Sequence, residues 1–299
     1  MEELLFTISI PTYNRKKLLE RNLNHLENIN FEIKKFEVIV IDDGSNDGTE
    51  NFMTEFIKKS ALNIKYIKKE NGGKFTALNR AINEANGYFF INCDSDDYLD
   101  KDCLINIYNE WKTIDLKNVA GIIGQNLNTA TNQIIGSLFP LHIRYSDPIE
   151  MRFIHKIKGD KFPCILTSVL KEYNFPNTNK THFIPESYMY YGISSKYQFK
   201  YSNIVFKHVE YLKDGLTYSI QKYRRQNSYG CYLAYEKYTM YFAPKKTLIG
   251  YLRNYINYVR FSMLSDQKKI RKQRTIDYFL IPAGYFAYLI DVLKIKINK

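Results

Sequence analysis

The first 125 residues alternate between short apolar runs and segments with helical spacing, and this alternation constrains the fold most. The run FEVIVI at 36–41 is nearly continuous in β-branched residues, as in a strand that is buried on both faces of a sheet. Strands that alternate with helices of 10–15 residues predict βαβ units and a parallel sheet. The predicted strands are 5–10, 36–41, 64–67 and 88–92, and the predicted helices are 15–27, 49–59 and 73–85.

Polar residues cluster where three of these strands end. The clusters are Pro11–Asn14, Asp42–Ser45 and Asp94–Asp97. The carboxyl ends of parallel strands share one edge of the sheet, where ligands bind. Each cluster alone is also compatible with an ordinary turn rich in Asn, Asp and Gly. Three of them at three strand ends predict one shared crevice.

The segment Asp94-Ser95-Asp96-Asp97 follows the apolar run YFFIN. Three carboxylates within four residues repel one another unless a cation neutralises them. Their oxygens suit Mg²⁺ or Mn²⁺, which in turn hold phosphates. The competing interpretation is a helix N-cap by Asp97 or Asp100, which accounts for one aspartate and not for the cluster.

Two further motifs follow the second and third strands. In DDGSNDGT, one or both of Asp42 and Asp43 can accept hydrogen bonds from a base or a ribose; an ordinary turn with a helix cap is equally compatible with the motif. The motif Asn71-Gly72-Gly73-Lys74 opens a helix, and a glycine-rich turn at a helix N-terminus favours an anion. It is neither a P-loop nor GxGxxG, which argues against P-loop kinases and dinucleotide dehydrogenases.

Four motifs, in this order and spacing, resemble the glycosyltransferase family 2 enzymes: SIPTYNR, VIVIDDGSNDGT, KENGGKFTALNRAI and INCDSDDYLD, within 5–110. The resemblance implies an α/β fold of the GT-A type, a nucleotide-diphospho-sugar transferase fold with a Rossmann-like, mostly parallel sheet. It also implies an inverting glycosyltransferase. Such an enzyme moves a sugar from a nucleotide-diphosphate sugar, here expected to be a UDP-sugar, to a hydroxyl of a glycan or lipid-linked glycan in cell-surface polysaccharide synthesis.

The resemblance also assigns roles to site residues. Those that would line the base and ribose, or support that pocket, are Pro11, Thr12, Tyr13, Asp42 and Asp43. Lys74 would lie near the uracil and the diphosphate. Asp94-Ser95-Asp96 resembles the family's DxD motif, in which the first aspartate faces the ribose and Asp96 ligates Mn²⁺ or Mg²⁺ on the diphosphate. A bound metal neutralises the diphosphate and makes it a better leaving group.

The family also needs a base that deprotonates the acceptor hydroxyl. Glu186, in the apolar segment HFIPES before a predicted helix at 188–197, is the best candidate. Many family members have an acidic pair at this point, whereas here Ser187 follows. Glu210 and Asp214 are weaker alternatives, and a helix-start carboxylate without a catalytic role is the competing interpretation of Glu186.

Positive charge is concentrated at the end of the chain. Of the net charge of +12, residues 245–299 contribute +9, with twelve Lys/Arg and three acidic residues. The segment 248–264 has helical spacing. The uncharged run 278–290 is too short to span a bilayer, and we expect Pro282 and Gly284 to interrupt it. We expect a basic amphipathic helical extension on an anionic membrane surface; helices packed on the catalytic domain, with solvated charges, are the competing interpretation.

These patterns predict a GT-A catalytic domain at 1–244, with a nucleotide-sugar half at 1–125 and an acceptor half at 126–244. The segment 245–299 would be a membrane-associating region. Four scattered cysteines and an N-terminus without the features of a signal peptide favour a cytoplasmic protein, peripheral on the inner face of the membrane.

Two other functions stay open at this point. A sugar nucleotidyltransferase would share the broad fold, although PTYN stands where those enzymes usually have a glycine-rich phosphate loop. A non-enzymatic nucleic-acid-binding protein would use the basic tail but leave the acidic clusters unexplained, because carboxylates repel phosphate. We therefore expect no nucleic-acid partner.

Overall fold

The computed structural model describes residues 4–211, 216–242, 248–267, 270–272 and 274–297. The first part of the chain alternates between strands and helices, and each predicted element is present to within two residues. Its elements are β1 (Phe6–Thr12), α1 (Lys16–Glu27), β2 (Phe36–Asp42), α2 (Thr49–Lys59), β3 (Ile64–Lys68), α3 (Lys74–Glu84), β4 (Phe89–Asn92), β5 (Tyr98–Leu99) and α4 (Cys103–Lys112).

The middle of the chain adds strands that the sequence pattern did not predict. Its elements are β6 (Val119–Asn128), β7 (Gln133–Ile134), β8 (Tyr145–Ser146), α5 (Pro148–Phe153), β9 (Lys161–Leu166), α6 (Thr167–Glu172), α7 (Ser187–Ile193) and β10 (Gln198–Val209). The remaining elements are helices: α8 (Leu216–Gln226), α9 (Ser228–Phe242), α10 (Leu248–Leu264) and α11 (Asp277–Ile297).

All ten strands belong to one sheet, in the order β3-β2-β1-β4-β9-β6-β10-β5, with β7 beside β6 and β8 beside β10. The first four strands in this order are parallel, β9 runs antiparallel between β4 and β6, and β6 is parallel to β10. The predicted boundary between residues 125 and 126 falls inside β6, so the sheet is continuous across it. The predicted boundary at 244/245 lies outside the described residues.

The strand β2 is buried on both faces, as its composition predicts. Val38 and Val40 pack in a cluster with side chains of α1 and α2, and Ile39 and Ile41 pack in a second cluster with side chains of α3. Fully burying an aliphatic side chain of this size contributes roughly 1.5–3 kcal/mol. Because both faces of the sheet are covered by helices, the strand ends are left as the accessible edge.

A third apolar cluster lies in the C-terminal helices and is rich in tyrosine. It includes Tyr251, Tyr255 and Tyr258 of α10 together with Tyr232 of α9, and α11 packs against α10. A Cβ atom on Gly284 would lie 2.5 Å from Cβ of Val259, so glycine permits this close approach of the two helices.

The expected interruption of the last helix is wrong, because α11 is continuous through Pro282 and Gly284. Pro282 lies on the exposed side of the helix, and its ring removes one helical hydrogen bond there. The segment Asp277–Ile295 (19 residues, mean hydropathy 1.4) is long and apolar enough to cross a membrane, by length and composition alone.

Candidate functional site

The loops that follow β1, β2 and β4 meet at one edge of the sheet. β1 lies between β2 and β4 and is parallel to both, with Thr12 opposite Asp42 and Ser9 opposite Asn92. The N–H of Asp43 donates to the carbonyl of Thr12 (2.9 Å), which continues this register beyond the strands. The three polar clusters therefore meet at the carboxyl edge of the sheet, and we call the space between their loops the crevice.

The loops after β1 and β2 are joined by hydrogen bonds. Asn14, which has a positive φ of 51°, donates its N–H to Oγ of Ser45 (2.8 Å) and accepts from the N–H of Asn46 (2.9 Å). Two residues later, the N–H of Lys16 donates to the carboxylate of Asp47 (2.9 Å). These contacts fix the two loops relative to each other and define one wall of the crevice.

Asp42 is fully buried, and each of its carboxylate oxygens accepts a hydrogen bond. The N–H of Ser45 donates to Oδ1 (2.7 Å), and the hydroxyl of Tyr66 donates to Oδ2 (2.6 Å). Burial, and after it the Asp42 carboxylate, raises the pKa of Tyr66, so its hydroxyl stays protonated as a donor. Asp42 thus holds the turn below the crevice.

Asp43 binds the glycine-rich turn that precedes α3. Its carboxylate accepts from the N–H groups of Gly72 (3.0 Å) and Gly73 (2.8 Å) and from Nζ of Lys69 (2.5 Å). Gly73 has a φ of +90°, and a Cβ there would lie 1.9 Å from the carbonyl oxygen of His182. Only glycine fits between Asp43 and the segment that leads to Glu186.

Lys74 joins the two carboxylates that the sequence assigns to the donor and to the acceptor. Its Nζ lies 2.6 Å from Oδ1 of Asp94 and 2.7 Å from Oε1 of Glu186. Burial lowers the pKa of Lys74, but Asp94 and Glu186 outweigh that effect and raise it, so the amine is charged at neutral pH. Asp94 and Glu186, which lie 20 and 112 positions after Lys74 in the chain, therefore meet at one cation.

The aspartates after β4 are neutralised by basic side chains from three elements. The pairs are Asp94 with Lys74, Asp96 with Arg15, and Asp97 with Lys207. Burial raises the pKa of Asp94, but Lys74 and then Lys207 outweigh it and lower it to about 2. Burial raises the pKa of Asp97 against the opposing effect of Lys207. The repulsion expected from the sequence is thus relieved by protein cations.

A cation site made of protein carboxylates alone is not formed within the described ranges: no group of three or more His, Cys, Asp or Glu side chains there is arranged to hold a metal. Asp96 stays partly exposed and contacts Arg15 through one oxygen, Oδ2. Mg²⁺ is typically held by one or two carboxylates, with phosphates and water completing its shell. A single partly exposed carboxylate at this crevice fits that mode of binding.

The remaining predicted residues lie at the ends of β1 and β4. Pro11 and Thr12 are buried at the end of β1, and Oγ1 of Thr12 has no hydrogen-bond partner in the described part of the chain. Tyr13 follows with 49% of its surface exposed. Ser95 is buried between the aspartates. The roles of these residues toward a nucleotide stay predictions.

We did not identify from the sequence the residues of α1 that hold the loop 94–97, which we call the aspartate loop. Nδ2 of Asn22 donates to the carbonyls of Asp94 (3.0 Å) and Asp97 (2.7 Å). Arg21 donates to the carbonyl of Asp96 (2.7 Å) and pairs with Glu210. The sequence feature that could have indicated them is the polar face of the helix that directly follows β1, because the start of that helix must lie beside the carboxyl edge of the sheet.

The alternatives to Glu186 differ in their surroundings. Glu210 is engaged by Arg21 on α1, and Asp214 lies outside the described residues. Glu186 is instead in contact with Lys74, beside Asp94 of the strand-end crevice.

Comparison with solved structures gives the fold. S. aureus TarS 1-349 in complex with UDP-GlcNAc has a TM-score of 0.61 at 18% identity, covering 95% of this chain and 89% of that one. The mannosyltransferase PcManGT from Pyrobaculum calidifontis, in complex with GDP-Man and Mn²⁺, has a TM-score of 0.53 at 16% identity, covering 96% and 74%. The predicted GT-A fold is confirmed.

Two relatives are similar over part of the chain. The poly(ribitol-phosphate) beta-N-acetylglucosaminyltransferase TarS of Staphylococcus aureus is 35% identical over 99 residues, 33% of this chain and 17% of the relative. The poly(ribitol-phosphate) beta-glucosyltransferase of Bacillus spizizenii is 32% identical over 127 residues, 40% of this chain and 20% of the relative. The matched part spans a fifth or less of the length of these relatives.

The family model described as "Glycosyl transferase family 2" matches residues 7–166, which is more than half of the chain. That range contains the crevice loops after β1, β2 and β4 as well as the glycine-rich turn. The chain belongs to glycosyl transferase family 2.

Proposed function

We propose that this protein is an inverting glycosyltransferase that transfers a sugar from a UDP-sugar to a hydroxyl of a glycan or lipid-linked glycan in cell-surface polysaccharide synthesis. The observation that carries the proposal is the meeting of Asp94 and Glu186 at Lys74. A transferase needs a group that binds the leaving diphosphate next to a group that takes the acceptor proton. Lys74 is the candidate for the first role, and it contacts both Glu186, the candidate for the second, and Asp94 of the donor side.

The nucleotide would occupy the part of the crevice nearest β1 and β2. The half-exposed ring of Tyr13 offers a stacking surface for the base, and Asp43 offers a carboxylate at its floor. The resemblance also assigns Thr12 to this pocket, and its buried hydroxyl has no partner among the described residues. Uridine is favoured as the nucleoside because structural neighbours were solved with UDP-GlcNAc and with UDP.

The diphosphate would lie between Lys74 and the aspartate loop. Asp96 would hold Mn²⁺ or Mg²⁺ through its carboxylate, with Asp94 and Ser95 placed beside it. The metal, when bound, would neutralise the charge that develops on the leaving diphosphate. The charged amine of Lys74 stabilises the same charge from the α3 side.

Glu186 would act as the general base. In the proposed reaction an oxygen of its carboxylate accepts the proton of one acceptor hydroxyl, whose oxygen attacks the anomeric carbon opposite the diphosphate. One bond forms as the bond to the diphosphate breaks, so the anomeric configuration inverts and no covalent sugar–protein intermediate forms. Glu186 is 37% exposed, which leaves access for an acceptor.

The acceptor would be part of the cell envelope. The two relatives described above are named for poly(ribitol-phosphate), and we extend to this chain only the broader class of cell-surface glycans. An acceptor carried on a lipid would make a peripheral position on the cytoplasmic face of the membrane useful, and the basic C-terminal segment supports that position.

The test is a transfer assay on the full chain. A panel of nucleotide sugars is supplied with Mn²⁺ and with glycan or lipid-linked acceptors, and product stereochemistry is read by NMR. We expect one UDP-sugar to be used, transfer to be lost in EDTA, and the product to have the anomeric configuration opposite to that of the donor. Unchanged turnover in EDTA would contradict the requirement for a metal, and a retained anomeric configuration would contradict the single displacement.

A further inference from the structure

The charged side of α11 faces the protein. Asp277, Gly284 and Asp291 recur every seven residues, which keeps them on one face of the helix, and all three are buried. The guanidinium of Arg260 binds both oxygens of Asp291, with Nε at 2.5 Å from Oδ2 and Nη2 at 2.9 Å from Oδ1. The hydroxyl of Tyr251 donates to Asp277 (2.6 Å). This stripe holds α11 on α10.

The opposite side of α11 is apolar and exposed. Phe279, Phe286 and Leu293 have the same seven-residue period, displaced by two residues, and are 77%, 65% and 59% exposed. Further exposed apolar residues of this helix are Tyr278, Tyr285, Leu289, Ile290 and Ile295. A helix on the surface of a water-soluble domain normally has the reverse arrangement, and an exposed apolar face of this kind marks an interaction site. We call it the outer face of α11.

Basic residues lie next to the outer face. Lys272 precedes α11 and is exposed, with its Nζ 4.5 Å from the ring centre of Tyr278, and Lys294 is exposed near the end of the helix. Of the three acidic residues in 245–299, Asp277 and Asp291 are the two that are buried. The charge around the outer face is therefore positive, which suits anionic lipid headgroups and would repel the same face of a second copy.

The ion pairs of α11 decide between lying on a bilayer and crossing it. A spanning α11 would have to leave α10, and this would break the bidentate contact of Arg260 and expose Asp291 to hydrocarbon. A helix that stays on α10 offers the membrane only one side. We propose that α11 is an interfacial helix whose outer face inserts into an anionic bilayer surface while its Asp277–Asp291 side remains on α10. This inference deepens the membrane position given under the proposed function.

The test uses single tryptophans in the full chain. Trp111 is the one native tryptophan, so Trp111→Phe provides the background for Phe279→Trp, Phe286→Trp and Leu293→Trp. Leu141→Trp, at a 91% exposed position between β7 and β8, is the matched control. Vesicles of phosphatidylglycerol and phosphatidylcholine, brominated at a shallow or a deep position of the acyl chain, serve as the probe.

We expect the three α11 tryptophans to shift to the blue with vesicles and to be quenched equally, more by shallow than by deep bromines. The control should not respond. A triple variant should lower the vesicle-bound fraction at least tenfold; it combines Phe279→Ser, Phe286→Ser and Leu293→Ser. High salt should also lower the bound fraction. UDP affinity should be unchanged, so this result is independent of the proposed transferase activity.

Three outcomes would overturn the inference. Vesicle binding that is equal in the triple variant excludes the outer face. Deep quenching at 286 with shallow quenching at 279 and 293 indicates a spanning helix. Failure of the native chain to bind anionic vesicles, together with a dimer that the triple variant dissociates, assigns the outer face to a second copy.

Discussion

Ion pairs have opposite surroundings at the carboxyl edge of the sheet and between the last two helices. At the sheet edge, Lys74, Asp94 and Glu186 are each about one-third exposed and face a crevice. Between α10 and α11, Asp291 is 2% exposed and is enclosed by Arg260 and Arg225. A ligand can replace partners in the first set, whereas the second set can be exchanged only by separating two helices. The first is suited to chemistry and the second to assembly.

The placement of apolar and charged side chains also differs between the two regions. Around β2, apolar side chains point into clusters on both sides of the sheet and polar residues remain at the strand ends. In α11 the buried stripe carries carboxylates and the outer face carries Phe279, Phe286 and Leu293. The helices that cover the sheet bury its apolar side chains within the protein, whereas the outer face of α11 leaves apolar area to be covered by a partner.

The largest expected effect is on turnover at the crevice. Glu186→Gln keeps the size of the side chain but cannot take a proton at neutral pH. We expect turnover to fall by roughly 10²–10⁴, the usual contribution of general base catalysis. Donor affinity should change little, because the base faces the acceptor. Steady-state kinetics and UDP titration measure the two effects.

The control for that variant is Glu172→Gln, at an exposed glutamate on α6, which should retain native turnover. Glu210→Gln tests the alternative base. If Glu186→Gln transfers sugar at the native rate while Glu210→Gln does not, the base is Glu210 and the assignment is wrong.

The sequence predicts the first region of the molecule better than the last for a physical reason. A nearly continuous β-branched run such as FEVIVI, followed by aspartate and glycine, indicates a buried strand and its loop directly. For the C-terminal helices the sequence predicted membrane association of 245–299 as a whole, yet α10 is largely buried, with Tyr251, Tyr255 and Tyr258 in its core. Tyrosine suits both an interior and an interface, so its spacing alone does not separate them.

The central strands of the sheet were unpredictable for a different reason. β9 inserts antiparallel between β4 and β6, and its neighbours are distant in the chain, so no local pattern indicates the pairing. The partners of the aspartate loop are also distant: Lys207 comes from β10 and Arg15 from the start of α1. Carboxylates can be found from their clustering, whereas the cations that neutralise them depend on topology.

The second prediction concerns the assembly of the last two helices. Arg260→Met leaves Asp291 buried with Arg225, at 3.7 Å, as its remaining ion-pair partner among the described residues. Removing one partner of a buried ion pair should destabilise this helix pair by about 3 kcal/mol. Hydrogen exchange should rise in 277–297 and stay unchanged in the crevice loops.

The double variant Arg260→Met/Asp291→Leu is the matched control, since removing both charges avoids an unpaired carboxylate. It should recover most of the lost protection. Equal exchange in the native chain and in Arg260→Met would show that the ion pair does not hold α11 on α10. A parallel loss of UDP binding would show that the two regions are not energetically separate.

The smallest predicted effect is a pH dependence of stability at the crevice. The pKa of Asp94 is lowered to about 2 from 3.8, so the folded state binds fewer protons than the unfolded state between these values. The pair therefore stabilises the fold above pH 3.8, by about 2 kcal/mol, and this contribution is lost as the pH falls toward 2. Urea unfolding of the native chain and of Lys74→Met at pH 5 and pH 2.5 measures it.

Lys74→Met should reduce the difference between the two pH values by about 1–2 kcal/mol, with Lys207 retaining part of the effect. Lys58→Met, which removes an exposed surface pair with Glu55, should leave the difference unchanged. A difference that is the same in Lys74→Met and in the native chain would mean that Lys74 does not set the protonation of Asp94.

The most direct test of the central claim is a calorimetric titration of UDP into the native chain and into Asp96→Asn, each with Mn²⁺ and with EDTA. We expect the native chain to bind UDP at least tenfold more tightly with Mn²⁺ than with EDTA. Asp96→Asn should bind UDP with the weak affinity of the EDTA condition whether or not Mn²⁺ is present. The absence of UDP binding by the native chain, or the same gain from Mn²⁺ in Asp96→Asn, would contradict it.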